Sequence, residues 1–322
     1  MKAIVCRKYG SPDVLELSEM EKPIPKSDQV LVKIKASSIN YGNLVLLKGE
    51  PFLARFAFGV LKPKYAIPGG DIAGLVEAVG KDVKNFRPGD KVFGDLSTCG
   101  WGGFAEYVTV PESALAFKPG NLSFEEAAAV PMAGVTALQA IRNKGKIQSG
   151  QKVLINGASG GVGTFAVQIA KAYGAEVTGV CSTRNIDILK SIGADHTIDY
   201  TMYDLKELRE TYDLIIAVNG YQSISTYKRL LNPNGYYVVV GGSGAQLTEA
   251  MVFGPLISIT GNKKMSSMLQ RANQKDLIFL KELIEEEKIK PVIDRCYKLS
   301  EVPDAFRYFE RGHAQGKVII TV

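Results

Sequence analysis

The stretch LINGASGGVGTFAVQIAKAYGAEVTGVCSTRN, residues 154–185, decides the fold. It reads as an apolar strand, a glycine-rich turn, a segment with helical spacing of apolar residues, and a second strand. Strand, turn, helix and strand fit within one β-α-β unit of about 30 residues, the context in which such a turn binds a ligand. The alternative, a glycine cluster that only makes a tight turn, leaves this context unexplained.

The glycine turn is predicted to hold the pyrophosphate of a dinucleotide. Ala158 would stand at the first glycine position of the dinucleotide pattern, with Gly160 and Gly163 at the second and third. The start of the following helix would offer unpaired N–H groups and the positive end of its dipole. Apolar residues recur along this helix at a spacing that predicts one buried face: Val162, Ala166, Ile169, Ala170 and Tyr173.

The end of the second strand indicates which dinucleotide binds. An acid there would accept hydrogen bonds from the adenosine ribose, but the chain has Ser182-Thr183-Arg184. Two hydroxyls and a guanidinium suit a 2′-phosphate, so we expect NADP(H) rather than NAD(H). In the alternative interpretation, Arg184 is a solvated residue at a helix start.

The chain divides into an N-terminal β-rich half and a half in which strands alternate with helices. Residues 1–121 contain short alternating strand candidates separated by Gly and Pro turns. Residues 122–264 alternate strand and helix candidates, which predicts an α/β domain with a doubly wound parallel sheet. Residues 265–322 are expected to complete the first domain. The apolar stretch 51–68 is either a loop packed on the core or a lip of a substrate cleft.

Composition excludes several classes of protein. The 322 residues, 46% apolar and 22% charged with a net charge of +6, suit a globular protein of two domains. No basic block or stripe argues for nucleic acid, and no apolar run is long enough for a transmembrane segment. The N-terminus begins in a strand-like run rather than a signal peptide. Four cysteines without a CxxC pair predict neither a zinc ribbon nor disulfides, so we expect a cytoplasmic, reducing location.

The chain also resembles a known family, the medium-chain dehydrogenase/reductase superfamily, in its zinc-free quinone oxidoreductase (zeta-crystallin-like) branch. The resemblance covers nearly the whole chain and is closest to the chloroplast-envelope quinone oxidoreductase homologues. It implies a GroES-like catalytic domain and a Rossmann domain. The motifs that carry it are, in order, SSINYGN (37–43), IPGGDIAGLVEAVGKDVKNFRPGDKV (67–92), GGFAEYVTVP (102–111), AAAVPMAGVTAL (127–138), NGASGGVG (156–163), GADHTIDY (193–200) and GKVIITV (316–322).

The resemblance implies that zinc is absent. Zinc alcohol dehydrogenases place metal ligands at three positions that align with Asn40, Gly70 and about Met132, none of which can form a zinc site. Without a Lewis acid to bind an alkoxide, alcohol oxidation is not expected. The expected reaction is NADPH-dependent transfer of hydride to a small molecule, either a quinone or an α,β-unsaturated carbonyl such as an enal or enone. This reaction needs from the protein only a hydrogen-bond donor placed to stabilise the charge that develops on the acceptor oxygen.

The family's functional residues map onto this chain by position. Asn40 and Thr136 would lie near the nicotinamide, and Tyr41 is either an oxyanion donor or proton source, or a structural tyrosine. The family's usual acid near the site is Asn43 here. His196 and His313 are expected to be structural or exposed, and Asp71 to cap a turn or to orient backbone. The cofactor contacts would be Ser159, Gly160, Gly161 and Val162 at the pyrophosphate, Ser182, Thr183, Arg184 and Tyr200 at the adenosine phosphate, and Asn219 and Gly241 at later strand ends.

Two other classes of function compete with the reductase. One is an NADP(H)-binding, zeta-crystallin-like protein with a structural or regulatory role. The other is a methyltransferase, which is disfavoured because its cofactor's ribose also needs an acid after the second strand. The family further implies a homodimer, formed through a Rossmann edge strand near residues 236–240.

Overall fold

The structure, a computed structural model, describes residues 1–241 and 244–322. Cα packing divides the chain into two compact units. Unit 1 contains Met1–Ala133, Arg271–Glu285 and Pro291–Val322, and unit 2 contains Gly134–Gln270 and Glu286–Lys290.

The strands of the described residues are numbered in chain order. They are β1 Lys2–Cys6, β2 Leu15–Glu19, β3 Gln29–Ile39, β4 Asp71–Val79, β5 Lys91–Asp95, β6 Tyr107–Pro111, β7 Leu115–Phe117, β8 Lys152–Asn156, β9 Glu176–Cys181, β10 His196–Asp199, β11 Tyr212–Ala217, β12 Leu231–Val239, β13 Lys264–Ser267, β14 Ile293–Lys298 and β15 Lys317–Thr321.

The α-helices are numbered in the same way. They are α1 Tyr41–Lys48, α2 Arg55–Phe58, α3 Phe124–Ala128, α4 Pro131–Leu138, α5 Gly161–Ala172, α6 Ile186–Ser191, α7 Ile224–Leu230, α8 Gly244–Thr260, α9 Gln274–Glu285 and α10 Val302–Glu310. Within residues 1–241 and 244–322, no helix is both long and apolar enough to cross a bilayer.

Unit 1 is built on one large sheet and a small one. The large sheet has the order β14-β15-β3-β4-β5-β7, with β6 also paired to β3, and β1 pairs with β2. The long strand β3 is central because different parts of it pair with β15, β4 and β6. Most of its residues are therefore buried, and two apolar clusters form around this sheet.

Unit 2 is built on a six-stranded parallel sheet in the order β10-β9-β8-β11-β12-β13. This is the strand order of the doubly wound dinucleotide-binding fold, so the predicted α/β class is confirmed. Its ligand side is the carboxyl end of the strands, beside β8 where the strand order reverses.

Helix α5 is buried more completely than its predicted single face. Gly163 to Ala170 are all buried, because the face away from the sheet is covered as well. On that side the Gln168 amide donates to the Lys290 carbonyl at 2.9 Å and accepts from the Lys290 amide at 2.8 Å. These two hydrogen bonds hold Lys290 against α5 and so cover the face of the helix that points away from the sheet.

The prediction that residues 236–240 form an edge strand of this sheet is wrong. Tyr236–Val239 belong to β12, which pairs with β11 on one side and β13 on the other. The outer strand at that side of the sheet is β13. The four cysteines are free thiols.

Candidate functional site

The glycine turn after β8 makes its sharp bend at Gly157. Its φ is +84°, and a Cβ there would lie 2.7 Å from the Asn219 amide nitrogen. Ala158, expected at the first glycine position, is instead a buried residue whose amide donates to the Val180 carbonyl at 3.1 Å. The assignment of Ala158 to the tight turn is therefore wrong, since only Gly157 has the left-handed backbone that requires glycine.

Gly160 and Gly163 differ in what a side chain would meet. A Cβ on Gly163 would lie 2.2 Å from the Gly157 carbonyl oxygen, so this glycine lets α5 pack closely on the turn that follows β8. A Cβ on Gly160 would meet only that same oxygen, at 3.7 Å. The space over Gly160 is therefore open to a ligand, which fits the roles of the second and third glycines in dinucleotide sites.

The start of α5 presents unpaired backbone donors. The first hydrogen bond of the helix runs from the Thr164 amide to the Gly160 carbonyl at 2.9 Å. The N–H groups of Gly161, Val162 and Gly163 therefore precede the helical ladder, and Gly161 and Val162 are partly exposed. Together with the helix dipole, these donors suit an anionic group such as a pyrophosphate.

Asn185 joins the glycine turn to the end of β9. Its side-chain nitrogen donates to the Ser159 hydroxyl at 2.9 Å and to the Ser182 hydroxyl at 3.2 Å. Asn185 is buried, whereas Thr183 and Arg184 beside it are exposed. The structure thus brings the predicted pyrophosphate and adenosine-phosphate residues together, through an asparagine to which the sequence assigned no role.

One carboxylate stands at the end of β9, although it comes from β10. Asp199 accepts from the Thr183 hydroxyl at 2.5 Å and from the Thr201 amide and hydroxyl at 2.9 and 2.7 Å. These bonds, that from Thr183 first, hold the pKa of Asp199 below its usual range. The ionised carboxylate is therefore engaged by three donors of the protein itself.

The remaining predicted cofactor residues lie at neighbouring strand ends. The Tyr200 amide donates to the Cys181 carbonyl at 3.0 Å, which holds Tyr200 beside Ser182. The Asn219 amide donates to the Asn156 carbonyl at 3.3 Å, at the start of the glycine turn. A Cβ on Gly241 would lie 2.5 Å from the Val218 carbonyl, so the chain after β12 passes close to the chain after β11.

Unit 1 contains a fully buried ionic network around Asp71. The Asp71 carboxylate accepts from the Ser38 hydroxyl at 2.6 Å, the Asn40 side-chain amide at 2.8 Å and the Met132 backbone amide at 2.9 Å. The Lys317 ammonium lies 3.5 Å from the same carboxylate. Asp71 therefore orients the chain around it, and the turn-capping interpretation is wrong because the residue begins β4 rather than a turn.

Lys317 is the cation of this network and lies at the start of β15. Its ammonium donates to the Asn40 amide oxygen at 2.5 Å and to the Ile39 carbonyl at 3.2 Å. Burial lowers the pKa of Lys317 from its ordinary value of 10.5, and the Asp71 charge opposes that shift. The cation is held by short contacts although it is removed from water.

The predicted residues at the start of α1 differ in exposure. Asn40 uses its amide oxygen for Lys317 and one amide hydrogen for Asp71, which leaves one amide hydrogen for a ligand. Tyr41 is 67% exposed. Asn43 is fully buried, and its side-chain oxygen accepts from the Asn40 backbone N–H at 2.8 Å. Asn43 therefore caps α1 at the position where the family has an acid.

The positions that align with zinc ligands do lie together. A Cβ on Gly70 would meet the Met132 methyl group at 2.9 Å and the Trp101 ring at 3.2 Å. Asn40 and the Met132 amide share Asp71. An amide, a thioether and an indole therefore fill this place. In the part of the chain that is described, no group of three His, Cys, Asp or Glu side chains is arranged to hold a metal ion.

Thr136 and the two histidines complete the predicted set. Thr136 lies in α4 and is buried, in unit 2, whereas Asn40 belongs to unit 1. His196 is exposed at the start of β10, where its ring nitrogen lies 3.0 Å from Glu176, and His313 is exposed near the C-terminus. Lys317 and Asp199 are the charged residues that sequence reasoning missed. The partners of Lys317 are distant in sequence, so no local pattern could have found it. Asp199 also bonds the nearby Thr201, but its bond to Thr183 joins residues 16 apart.

Comparisons with known proteins match both halves of the chain. Residues 26–120 match the family described as alcohol dehydrogenase GroES-like domain, and residues 192–320 match zinc-binding dehydrogenase. The chloroplast envelope quinone oxidoreductase homolog of Arabidopsis thaliana is 37% identical over 99% of this chain and 98% of its own length. The NADPH-dependent alkenal/one oxidoreductase, chloroplastic, of the same plant is 34% identical over 99% of this chain and 79% of its own.

A solved structure agrees with these relatives over the full length. The quinone oxidoreductase from Coxiella burnetii has a TM-score of 0.88 and 32% identity, and covers 100% of this chain and 99% of its own. The GroES-like and Rossmann-type sheets and the glycine turn of this chain agree with the family that the full-length similarity indicates. The chain belongs to the medium-chain dehydrogenase/reductase superfamily and is similar to its quinone oxidoreductase homologues.

Proposed function

We propose that this protein is an NADPH-dependent, zinc-independent reductase that transfers hydride to a quinone or to an α,β-unsaturated carbonyl. The observation that carries the proposal is the link from the glycine turn through Asn185 to Ser182-Thr183-Arg184. One relative is named a quinone oxidoreductase, another a quinone oxidoreductase homolog and a third an NADPH-dependent alkenal/one oxidoreductase, which supports this reaction class.

The preference for NADPH rests on the donors at the end of β9. Ser182 and Arg184 offer a hydroxyl and a guanidinium to the 2′-phosphate, and Thr183 lies between them with its own hydroxyl donating to Asp199. Asp199 is the carboxylate that could instead accept from a free ribose. It already accepts from Thr183 and twice from Thr201, so little of its acceptor capacity is left for a ribose.

The pyrophosphate is proposed to lie over Gly160. The open space there and the free N–H groups of Gly161 and Val162 support this placement, and Ser159 is held in position by Asn185. Tyr200, Asn219 and Gly241 follow neighbouring strands and are proposed as further contacts. When bound, NADPH supplies the hydride from its nicotinamide ring.

Asn40, Tyr41 and Thr136 are the residues proposed near the reacting groups. The amide hydrogen that Asn40 keeps free of Asp71 is a donor for a nicotinamide or acceptor oxygen. The exposed Tyr41 offers a phenolic donor that would stabilise negative charge developing on the acceptor oxygen. Water can supply the final proton, so the reaction does not need a dedicated acid.

The zinc-independent part of the proposal rests on the donors at the aligned positions. The amide of Asn40, the missing side chain of Gly70 and the thioether of Met132 do not form the nitrogen, thiolate and carboxylate set that zinc prefers. The Trp101 and Met132 contacts leave no room for a side chain on Gly70. The match described as zinc-binding dehydrogenase covers residues 192–320, which contain none of these three positions.

NADPH oxidation with a panel of quinones, 2-alkenals, enones and γ-ketols tests the reductase. We expect turnover with at least one class and none with simple alcohols plus NADP+. NADPH binding with no turnover across the panel would refute the reductase and favour the competing interpretation, an NADP(H)-binding protein without catalysis.

We further propose a cytoplasmic homodimer. Beside the outer strand β13, helix α8 exposes Met251, Val252, Leu256 and Ile259, an apolar face that a second copy would cover. The α8 face is anchored to β13 because the Ser258 hydroxyl accepts from the Met265 amide at 2.8 Å. Light scattering should give twice the mass of the chain, and Ile259→Lys should reduce it.

A further inference from the structure

One exposed surface of unit 1 is both apolar and basic. It comprises residues 51–64 with Arg7 and Lys8, and we call it the patch. Four large apolar side chains of the patch are mostly exposed: Phe52 61%, Leu53 75%, Phe56 69% and Leu61 92%. Large apolar side chains that cluster on the water-exposed surface of a protein indicate a site of interaction.

The patch is ordered rather than a loose loop. The Tyr9 hydroxyl donates to the Gly59 carbonyl at 2.5 Å, and the Arg55 side chain donates to the Gly49 carbonyl at 3.0 Å. The Lys64 amide closes the segment by donating to the Phe58 carbonyl at 2.6 Å. The apolar side chains are thus held outward by a hydrogen-bonded base, with the rings of Phe52 and Phe56 packed edge to face at 6.1 Å.

The charge of the patch has one sign. From residue 51 to residue 70 the sequence contains Arg55, Lys62 and Lys64 and no Asp or Glu. The Cys6 amide donates to the Ala66 carbonyl at 2.7 Å, which brings the exposed Arg7 and Lys8 next to this segment. Three cations therefore lie in the segment with the apolar side chains and two lie next to it, although they come from two stretches far apart in sequence.

We propose that the patch docks on the surface of a lipid bilayer that contains anionic lipids. Phe52, Leu53, Phe56 and Leu61 would enter the boundary between headgroups and acyl chains, while the cations contact lipid phosphates. Apolar insertion combined with basic residues is the pattern of interfacial membrane binding. A soluble apolar ligand would account for the aromatic residues but not for the five neighbouring cations. The proposal does not depend on the reductase activity.

The experiment is co-sedimentation of the purified full chain with vesicles of phosphatidylglycerol mixed with phosphatidylcholine, and with vesicles of phosphatidylcholine alone. We expect binding to the anionic vesicles that weakens as salt is raised, and little binding to the neutral ones. Lys62→Gln with Lys64→Gln should weaken binding about five-fold for each charge removed. Phe56→Ser with Leu61→Ser should weaken it at least about ten-fold, since two apolar side chains no longer insert.

Matched controls lie elsewhere on the surface. Ile24 and Leu269 are 87% and 90% exposed, so Ile24→Ser with Leu269→Ser controls for apolar loss, and Lys81→Gln with Lys84→Gln controls for charge. Circular dichroism melting confirms that each variant is folded. Equal binding to both kinds of vesicle, no binding, or the same loss in the controls would overturn the proposal.

Two further outcomes would also overturn it by assigning the patch to another occupant. If the patch variants bind vesicles normally but have a lower mass by light scattering, the patch is an interface between copies of the chain. If they bind vesicles normally but have a raised KM for a water-soluble quinone, the patch belongs to the acceptor site. Only a selective loss of binding to anionic vesicles supports docking.

Discussion

Asp71→Asn should destabilise unit 1 strongly because it leaves the buried Lys317 ammonium without its counter-charge. The charges lie 3.5 Å apart. At an effective dielectric constant of 20, Coulomb's law gives an attraction of about 5 kcal/mol. Removal of one partner of a buried ion pair generally costs about 3–5 kcal/mol, so both routes predict a similar loss in the free energy of unfolding.

The matched variant is Lys317→Met, which removes the cation instead. Asp71 then keeps the donors of Ser38, Asn40 and Met132, so the expected cost is smaller, about 1–3 kcal/mol. The double variant should cost less than the sum of the two single changes, because each residue is expensive only while its partner remains. Urea unfolding monitored by circular dichroism measures all four proteins.

The pH dependence gives a second readout of the same network. Burial places the pKa of folded Lys317 below its ordinary value of 10.5, so between these two values the unfolded chain binds more protons than the folded one. The free energy of unfolding therefore gains from Lys317 as pH rises through that window. Asp71→Asn removes the charge that opposes the shift, which extends the window to lower pH. The deficit of Asp71→Asn should therefore shrink as pH rises through this extended window, below 10.5. A deficit that is independent of pH, or equal losses for both single variants, would refute this reasoning.

Three other predictions concern the cofactor and metal. Arg184→Ala should weaken NADPH binding about 10- to 100-fold in fluorescence titrations and leave NADH binding nearly unchanged, because one charge-assisted contact to the 2′-phosphate is lost; equal losses for both cofactors would contradict the phosphate site. Gly163→Ala should lower the melting temperature, since its Cβ would lie 2.2 Å from the Gly157 carbonyl, whereas Gly160→Ala should melt normally but bind NADPH more weakly. Elemental analysis should find no stoichiometric zinc, and dialysis against EDTA should leave NADPH oxidation unchanged; a loss restored by zinc would argue against the proposed reaction.

Unit 2 could be predicted well because its signals are local. Residues 154–185 contain the end of β8, the turn, helix α5 and β9, and their order alone indicates the parallel sheet that the structure has. The sequence did not indicate which residue makes the tight bend. Gly157 and Ala158 are adjacent in the motif, and only the backbone shows that Gly157 has the positive φ.

The networks of unit 1 could not be predicted in the same way. Lys317 and Asp71 are 246 residues apart, and they meet because β15 pairs with β3, which in turn pairs with β4. The basic character of the patch was hidden for the same reason. Arg7 and Lys8 lie next to the segment 51–64 because hydrogen bonds join Cys6 to Ala66 and Tyr9 to Gly59. Net charge gives no positions, and charge runs show only residues that are adjacent in sequence. The residues of this network and of the patch are adjacent only in the folded chain.

The chain has one tryptophan, and its location gives the protein an internal optical probe. Trp101 is buried in unit 1, against Met132 and the backbone at Gly70, with its ring edge to face with Phe58. Its emission should therefore be blue-shifted in the native state and move to the red when unit 1 opens. Far-ultraviolet circular dichroism reports on the helices of both units. Recording the two signals in one denaturant series would show whether unit 1 and unit 2 unfold together or in sequence.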